Sequence, residues 1–574
     1  MKNKKIARID LNSSSAQFET VEGRYLNLGG RGLTSNLIAD EAPPQCDPLG
    51  PENKLVIAAG ILAGTSVPNS GRLSVGAKSP LTHTIKEANA GGTVARKMAN
   101  LGIQALVFEG ISKEPVSVVI DRKGVSIVPA DDLKGSLISE CIEKLRKNYG
   151  DDIGIVSIGP AGEKRMLASA VATTTPDFFP RIAARGGLGA VMGAKNLKAV
   201  VVDDHGCSPP EIKDKALLKS AVKAFSQGIM SHPLAEGFKH FGTPMLVGLI
   251  NEIGAIPTKN FSQGRFAGAD KISGETVAEM MKARPNSIPS HRCMSSCILR
   301  CSNVLTDAAG DVIVSGLEYE TLALVGSNCM IDDVEIIARI NRICNDVGLD
   351  TMEVGASIAV AMEAGVLEWG DGPAALELVR EISTGSDRGR MIGNGCVYAG
   401  KTLGIERIPQ VKGQALAGYD PRGLKGTGVT YATSPMGADH TCGNALPSPA
   451  NPDYDPTAPA GQAPVSKFLQ SYFAAVDTLG LCLFASLPAL DIPEVKQQLI
   501  ECVSAVLDES LDQGYLERLG QMVLQTERKY NDAVGFKPED DRLPLFFSEE
   551  TLSSNEQRFD VSNEELDSVN PTLS

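Results

Sequence analysis

His205-Gly206-Cys207-Ser208-Pro209-Pro210 is the stretch at which the hydrophobic period of this chain changes. Upstream of it, short apolar runs bounded by Gly, Pro or Asp recur at 55–57, 105–108, 116–120, 153–158 and 199–202. Their length and spacing predict strands, with a few helices between them such as 92–100. Downstream, apolar residues fall at helical spacing over 214–225, 275–283, 332–345 and 351–364. The 332–345 segment is the clearest, with Ile336, Ile337, Ile340, Ile343 and Cys344 on one stripe and Asp332 with Glu335 set as a capping box. A Gly/Pro-rich irregular stretch covers 411–464, helices return at 467–478, 495–507 and 511–525, and the polar residues from 551 on are expected as a tail. The expected fold class is α+β: a β-rich domain over 1–205, then mainly helical domains over 206–410 and 411–574.

The 574 residues exceed one core, and at ~150 residues per domain about three to four domains are expected. With 43% hydrophobic and 22% charged residues the composition is globular. A formal charge of -14 argues against nucleic acid or an anionic membrane as the main partner. The basic start, Met1-Lys2-Asn3-Lys4-Lys5, lacks the apolar run of a signal peptide, and the greasy 479–490 stretch is too short to span a bilayer. Twelve cysteines without an export signal fit a reducing, cytoplasmic setting.

His291-Arg292-Cys293-Met294-Ser295-Ser296-Cys297-Ile298-Leu299-Arg300-Cys301 holds three cysteines four residues apart. An iron–sulfur cluster takes four soft ligands, and Cys482 is the leading fourth. Three buried thiols on a helix face, or a zinc site using His291, stay open as rivals. A radical S-adenosylmethionine motif is disfavoured, because its gap between the second and third cysteines is shorter than here.

Two hexapeptides match: Asn345-Asp346-Val347-Gly348-Leu349-Asp350 and Asp477-Thr478-Leu479-Gly480-Leu481-Cys482. Both follow expected helices, with Gly348 and Gly480 where a left-handed C-cap would fall. A carboxylate just past a helix end can accept parallel N–H bonds from the aminopyrimidinone edge of a pterin. Two ordinary glycine caps are the plainer reading.

These features, with Gly29-Gly30-Arg31-Gly32-Leu33, Ser70-Gly71-Arg72, Ala88-Asn89-Ala90-Gly91-Gly92, the run from Arg181 to Ala199, Glu318-Tyr319-Glu320-Thr321 and Gly437-Ala438-Asp439-His440, make a series from about residue 5 to about 540. The series resembles the tungsten- or molybdenum-containing aldehyde ferredoxin oxidoreductase family. That resemblance implies an N-terminal saddle of two β-sheets carrying a metal bound by two pterin dithiolenes, capped by the helical domains. By the same resemblance Arg72, Asn89, Gly91, Arg181, Ile182, Ala184 and Arg185 would meet the cofactor phosphates and a bridging Mg2+. Asn345, Gly348, Leu349 and Asp350 would hold one pterin, and Asp477, Gly480 and Leu481 the other. Cys293, Cys297, Cys301 and Cys482 would ligate one [4Fe-4S] cluster. Glu320 is implied as the carboxylate beside the metal, with Glu318 its rival, His440 as its polar partner, and Tyr319 and Tyr419 as ring donors lining the pocket.

The implied activity interconverts aldehydes and carboxylic acids and passes electrons to ferredoxin or a small iron–sulfur subunit. A molybdenum-dependent 2-oxo acid/2-hydroxy acid oxidoreductase working with viologens is the alternative within the family, and a non-catalytic iron–sulfur subunit the alternative outside it. The chain departs from the family pattern in four places. Met294 stands where the family's two-residue gap between its first two cysteines would put the first, with Cys293 one residue earlier; Asn345 replaces an Asp, Met436 stands where some members carry Arg, and Arg339 lies near an acidic position of an intersubunit iron site. A homodimer stays open, without that iron.

Overall fold

The computed structural model describes residues 4–448 and 451–570. Its first two hundred residues form two six-stranded sheets. The first contains β1 (Lys5–Asp10), β2 (Ser15–Thr20), β3 (Leu55–Ala59), β4 (Leu73–Lys78), β5 (Ile85–Ala90) and β6 (Ile103–Glu109), in the order β2-β1-β6-β3-β4-β5. The second contains β7 (Val116–Asp121), β8 (Gly124–Pro129), β9 (Gly154–Ser157), β10 (Val171–Thr174), β11 (Pro180–Ala183) and β12 (Leu197–Val202), in the order β11-β10-β9-β12-β7-β8.

Adding six to each strand number of the first sheet reproduces the second. The sense of each pairing repeats as well: β1 with β6 and β7 with β12 are parallel, and the remaining ladders are antiparallel. The helices Val94–Asn100 and Leu188–Ala194 occupy equivalent places, each after a Gly-Gly pair that follows the edge strand. The domain is therefore an internal duplication, which the sequence reading missed.

The strands read as solid apolar runs because both faces are buried. Leu55, Ile57 and Ala59 of β3 join Val118, Val156, Val200 and Val202 in the core between the sheets. Val56 and Ala58 turn the other way, into a core shared with Tyr472, Leu479, Leu499 and Val503 of the last domain. The second sheet covers its outer face with Ile138, Cys141, Ile142 and Leu145 of the helix Ile138–Tyr149.

The expected helices appear at Lys215–Ser231, Gly274–Ala283, Val334–Val347, Thr351–Glu363, Gln462–Leu479, Pro493–Leu507 and Tyr515–Val534. Three expectations need correction. The helix Val334–Val347 is capped by Asp333, whose side chain accepts from the Glu335 and Ile336 amides, whereas Asp332 pairs with Lys271. The three cysteines lie in the loop between β13 (Ile288–His291) and β14 (Ser302–Thr306), which with β15 (Val312–Ser315) form a small sheet, so the helix-face reading of the thiols fails. The polar C-terminus is not loose. Its helix Asn563–Val569 buries Leu566 and Val569, and Phe559 and Val561 are buried just before it; residues 571–574 lie outside the described residues.

Candidate functional site: two matched turns, a carboxylate–histidine pair and four thiols

Gly348 (φ 78°) and Gly480 (φ 69°) both end their helices in the left-handed region, where a side chain would be strained. The second turn lies along the first sheet. The Ile61 and Leu62 amides donate to the Thr478 and Leu479 carbonyls (3.2 and 3.1 Å), and the Arg72 amide donates to Gly480 (3.1 Å). The first turn lies along the second sheet, with the Ala170 amide donating to Gly348 (2.9 Å) and the Asp350 amide to Ala168 (3.1 Å). Gly60 follows β3 and meets Gly480 backbone to backbone, as Gly159 follows β9 and meets Val347. The duplicated domain thus offers the same cradle twice.

Around the second turn, Asn89 Nδ2 donates to Asp477 Oδ1 (3.1 Å), and the Arg72 guanidinium donates to the Asn89 side chain and carbonyl. Burial pushes Asp477 up to about 6 against the pull of Arg31 and Arg72, and pushes its neighbour Glu87 up to about 8. Around the first turn, Arg185 Nε lies 3.2 Å from Asp350 Oδ2, and Asp350 also caps the next helix through the Met352 amide. Asn345 turns its amide to Asn341, and Asp346 pairs with Arg342. Arg181 donates to Ser302 Oγ (2.8 Å) and Ser315 Oγ (3.1 Å), its neighbour Ile182 pairs across to Ala172, and the half-buried Ala184 leads on to the buried Arg185. Glu87 Oε1, Asp350 Oδ2, Arg181 Nε and Arg185 Nε are buried without an aligned hydrogen-bond partner. Buried polar atoms in a native fold are normally satisfied, so this donor and acceptor set suits a polar group carrying anionic oxygens and amide-like N–H edges.

Between the turns, His440 Nε2 lies 3.1 Å from Glu320 Oε1, and its Nδ1 is 3.9 Å from Asp439. Glu320 opens a short helical turn that runs into a π-helical turn, Leu322–Gly326, and its other oxygen accepts from the Gly418 amide (2.7 Å). Asp439 is fully paired to Lys86 (2.7 Å). Burial alone would raise its carboxyl, yet Lys86, Arg185 and His440 hold it well below the usual range. The Tyr319 and Tyr419 rings lie 5.2 Å apart, and Tyr419 and His440 5.7 Å. Tyr319 differs from the expected donor role, because its hydroxyl is committed to the Gly418 carbonyl and it serves as a wall. Glu318 faces elsewhere: Thr243 and Ser302 hydroxyls donate to it, on the side of Cys301.

The four thiols share one neighbourhood. Cys293 and Cys297, both free thiols, lie within hydrogen-bonding reach of each other, and Cys301 feels the charges of Cys482 and Cys293. Asn69 ties the two segments together: its carbonyl accepts from the Cys482 amide (2.8 Å), its Oδ1 from Ile298, and its Nδ2 reaches Cys297 Sγ at 3.5 Å. Met294 is wholly buried and its sulfur accepts from Gly71, so the one-residue shift of the motif is absorbed by turning Met294 inward while Cys293 stays with the other thiols. A side chain at Gly91 would stand 2.8 Å from Cys293 Sγ. Both ring nitrogens of His291 are engaged, Nε2 by Asp177 (2.9 Å) and Nδ1 by Arg181 (3.4 Å), so neither is turned to the thiols as the zinc reading needed. Among the described residues no three His, Cys, Asp or Glu side chains converge tightly enough for a single ion. Packed this way, burial and mutual repulsion drive Cys293 and Cys301 far above the ordinary thiol range, and thiolates here require shared positive charge.

Family models match nearly the whole chain: residues 6–204 fit the N-terminal domain of aldehyde ferredoxin oxidoreductase, and residues 220–571 its domains 2 and 3. The chain belongs to the aldehyde ferredoxin oxidoreductase family. Membership makes it an oxidoreductase and implies a tungsten–pterin cofactor. The tungsten-containing aldehyde ferredoxin oxidoreductase of Pyrococcus furiosus is 33% identical over 95% of this chain and 91% of its own length. The enzyme of the same name from Thermococcus kodakarensis is 33% identical over 92% and 87%. A more distant relative in Pyrococcus furiosus, the WOR-like subunit of an aliphatic sulfonate oxidoreductase, is 26% identical over 73% and 71%. Among solved structures, the active-site complex BamBC of benzoyl coenzyme A reductase has a chain with a TM-score of 0.81 at 20% identity, covering 99% of this chain and 94% of that one. At that identity the likeness speaks for the fold. Among the described residues no helix is long and apolar enough to cross a membrane.

Several residues of this family member's site went unnoticed in the sequence. Lys86 and Glu87 directly precede the Ala88–Gly92 motif, Asn69 precedes Ser70-Gly71-Arg72, and Asp439 stands beside His440, so adjacency to quoted motifs was the available signal. Tyr431, buried with an unpartnered hydroxyl near Glu320, carried no local signal at all.

Proposed function

We propose that this family member oxidises aldehydes to carboxylic acids at a tungsten- or molybdenum–bis-pterin group held between the two turns, and exports electrons through a [4Fe-4S] cluster to a ferredoxin-type protein. The half-reaction is RCHO + H2O → RCOO⁻ + 3 H⁺ + 2 e⁻. The observation that carries the reading is the Glu320–His440 pair beside Asp439, whose charge reaches Asp350 of one turn and Asp477 of the other, in a chain that also gathers four thiols.

Asp350 and Asp477 would accept from the two pterin edges, beside Asn345, Gly348 and Leu349 on one side and Gly480 and Leu481 on the other. Arg72, Asn89, Gly91, Arg181, Ile182, Ala184 and Arg185 would take the phosphates and the Mg2+ between them, guanidinium forks suiting phosphate oxygens. Bound there, the metal–pterin group would supply the two-electron oxidation, and the cluster on Cys293, Cys297, Cys301 and Cys482 would supply one-electron transfer outward. Glu320 Oε1, free of other hydrogen bonds, takes a proton from the aldehyde hydrate. His440 Nε2, within 3.1 Å of that oxygen, orients the substrate oxygen and stabilises charge developing on it. Tyr319 and Tyr419 wall the space and exclude water. Glu318, already bonded by two hydroxyls, is the weaker claimant.

The test is anaerobic purification of the native protein, elemental analysis, and a panel of aldehydes against 2-oxo and 2-hydroxy acids with a viologen dye. About four iron atoms per chain, tungsten or molybdenum, and aldehyde-dependent dye reduction are expected. Iron without either heavy metal would refute the reading, and turnover of 2-hydroxy acids alone would reassign the substrate.

A further inference from the structure

Cys297 lines a surface cleft of about 520 Å³. Its floor is the 295–298 loop, and its far wall is the start of the helix Lys215–Ser231 with the preceding Pro209-Pro210. A second depression continues it along the same helix. Around the two stand Arg96, Lys215, Lys219 and Lys223, against a single acid, Glu211. All four cations are exposed, and among the described residues none makes an ion pair. On a chain of formal charge -14 such a patch is a local reversal of sign.

Lys215, Lys219 and Lys223 are spaced i, i+4, so they form one stripe of like charge on the helix. That arrangement destabilises an isolated helix, whose residues 215–231 include no carboxylate; Asp214, at its N-cap, is turned to the Leu217 amide. The buried side of the helix is conventional, with Leu218, Ala221, Phe225 and Ile229 packed inward, so folding does not require the lysines. The floor of the cleft is the one wall that leads to a thiol of the gathered set: Cys297 Sγ receives the Arg300 amide (3.3 Å) and Asn69 Nδ2 (3.5 Å) from within and lines the cleft from below.

We infer that this cationic cleft is the docking surface for an acidic one-electron carrier protein, with the electron leaving by way of Cys297. The inference rests on the proposed redox function of the site and adds to it the partner's charge and place of contact. Each aldehyde oxidised yields two electrons, so two oxidised carriers must each visit the cleft and depart reduced by one electron. A carrier with carboxylates around its own cluster would be steered to the lysine stripe, and steering of this kind raises association rates 10- to 1,000-fold at low ionic strength.

The experiment compares carrier-linked with dye-linked aldehyde oxidation in the anaerobically purified holoenzyme, using an acidic ferredoxin as carrier and benzyl viologen as dye. In a Lys219→Glu/Lys223→Glu double variant the ratio of carrier-linked to dye-linked turnover at sub-saturating carrier is expected to fall about tenfold or more. Wild-type KM for the carrier is expected to climb with salt, and the variant's to lose that dependence. Lys529→Glu, an exposed unpaired lysine on another helix, serves as the charge control and should leave the ratio alone. A ratio within twofold of wild type in the double variant, an equal fall in the Lys529 control, or a salt-independent wild-type KM would overturn the docking surface. Full dye-linked oxidation with an unchanged ratio refutes the docking alone. An iron-free native protein without dye-linked oxidation refutes the redox reading and this inference together.

Discussion

Replacing Gly60 or Gly159 by alanine perturbs the two equivalent cradles one at a time. Neither glycine needs a positive φ, so the effect is steric and not conformational. At Gly159 the added Cβ would stand 2.5 Å from the Val347 carbonyl carbon and 2.8 Å from the Asp346 carbonyl oxygen. At Gly60 it would overlap Gly480 Cα, Gly480 N and the Leu479 carbonyl oxygen, more closely still. Carbon atoms rest at about 3.5–4.0 Å, so each turn must retreat by about 1 Å, at a cost of about 1–3 kcal/mol for overpacking. That shift exceeds the few tenths of an ångström a metal ligand tolerates. Only the second turn continues into a cysteine, two residues past Gly480. Gly60→Ala should therefore lose most of its iron as well as its heavy metal, whereas Gly159→Ala should lose heavy metal while keeping iron. Elemental analysis and the electron paramagnetic resonance signal of the reduced cluster read the difference. Equal iron in both variants would refute the reasoning.

Glu320→Gln is expected to lower aldehyde turnover by about 10²–10⁴ while heavy metal and iron stay bound; near-normal turnover would remove Glu320 from the proton-accepting role. Arg31 and Glu527 form a wholly buried bidentate pair (2.9 and 2.8 Å) between the first and last domains, so Arg31→Leu should cost about 3–5 kcal/mol. In that case Arg31→Leu/Glu527→Leu should recover part of the loss, and thermal denaturation with little change in the single variant would contradict the pair's role. Burial pushes Glu353 up to about 7, partly offset by Arg185 and by amides of Ala415 and Cys396. A carboxyl whose folded value is raised favours the fold below its unfolded value and loses that contribution as pH rises through about 7. Denaturation midpoints should fall between pH 5 and 8, and Glu353→Gln should flatten that fall by up to about 3 kcal/mol; an unchanged slope would count against it.

What the sequence made legible was set by how each element is buried. Apolar runs marked the strands because residues such as Val56 and Ile57 are covered on opposite faces by different domains. The helix Val334–Val347 was visible because only one stripe of it is inward. By contrast, the helix Gly30–Glu41 is glycine-rich and buried on nearly every side from Gly30 to Ile38, so it carries no amphipathic period to read. The duplication was illegible for a related reason. Ala88-Asn89-Ala90-Gly91-Gly92 and Ala183-Ala184-Arg185-Gly186-Gly187 share little beyond the glycine pair, and the repeat is expressed in strand order, which pattern alone does not reveal. Motifs located the carboxylate–histidine pair and the thiols and already put Glu320 ahead of Glu318; the structure adds the partners of each, His440 and the Gly418 amide for Glu320, two hydroxyls for Glu318.

The duplication also explains why residues so far apart in sequence build one site. Each half of the first domain follows a strand with a glycine that can accept a helix C-terminus closely, and the two helices, Val334–Val347 and Gln462–Leu479, are far apart in the rest of the chain. A group with two like halves fits two like cradles, and the last residue of each hexapeptide decides what each cradle does. Asp350 meets Arg185, which opposes the rise that burial imposes on its carboxyl. Cys482, at the equivalent place, is buried beside Arg72, which opposes the rise that burial imposes on its thiol. On the proposed reading one cradle would only bind, and the other would both bind and lead to the thiols. Electron exit would then be one-sided in an otherwise two-fold arrangement, on the side where, beyond Cys297, the lysine-lined cleft opens.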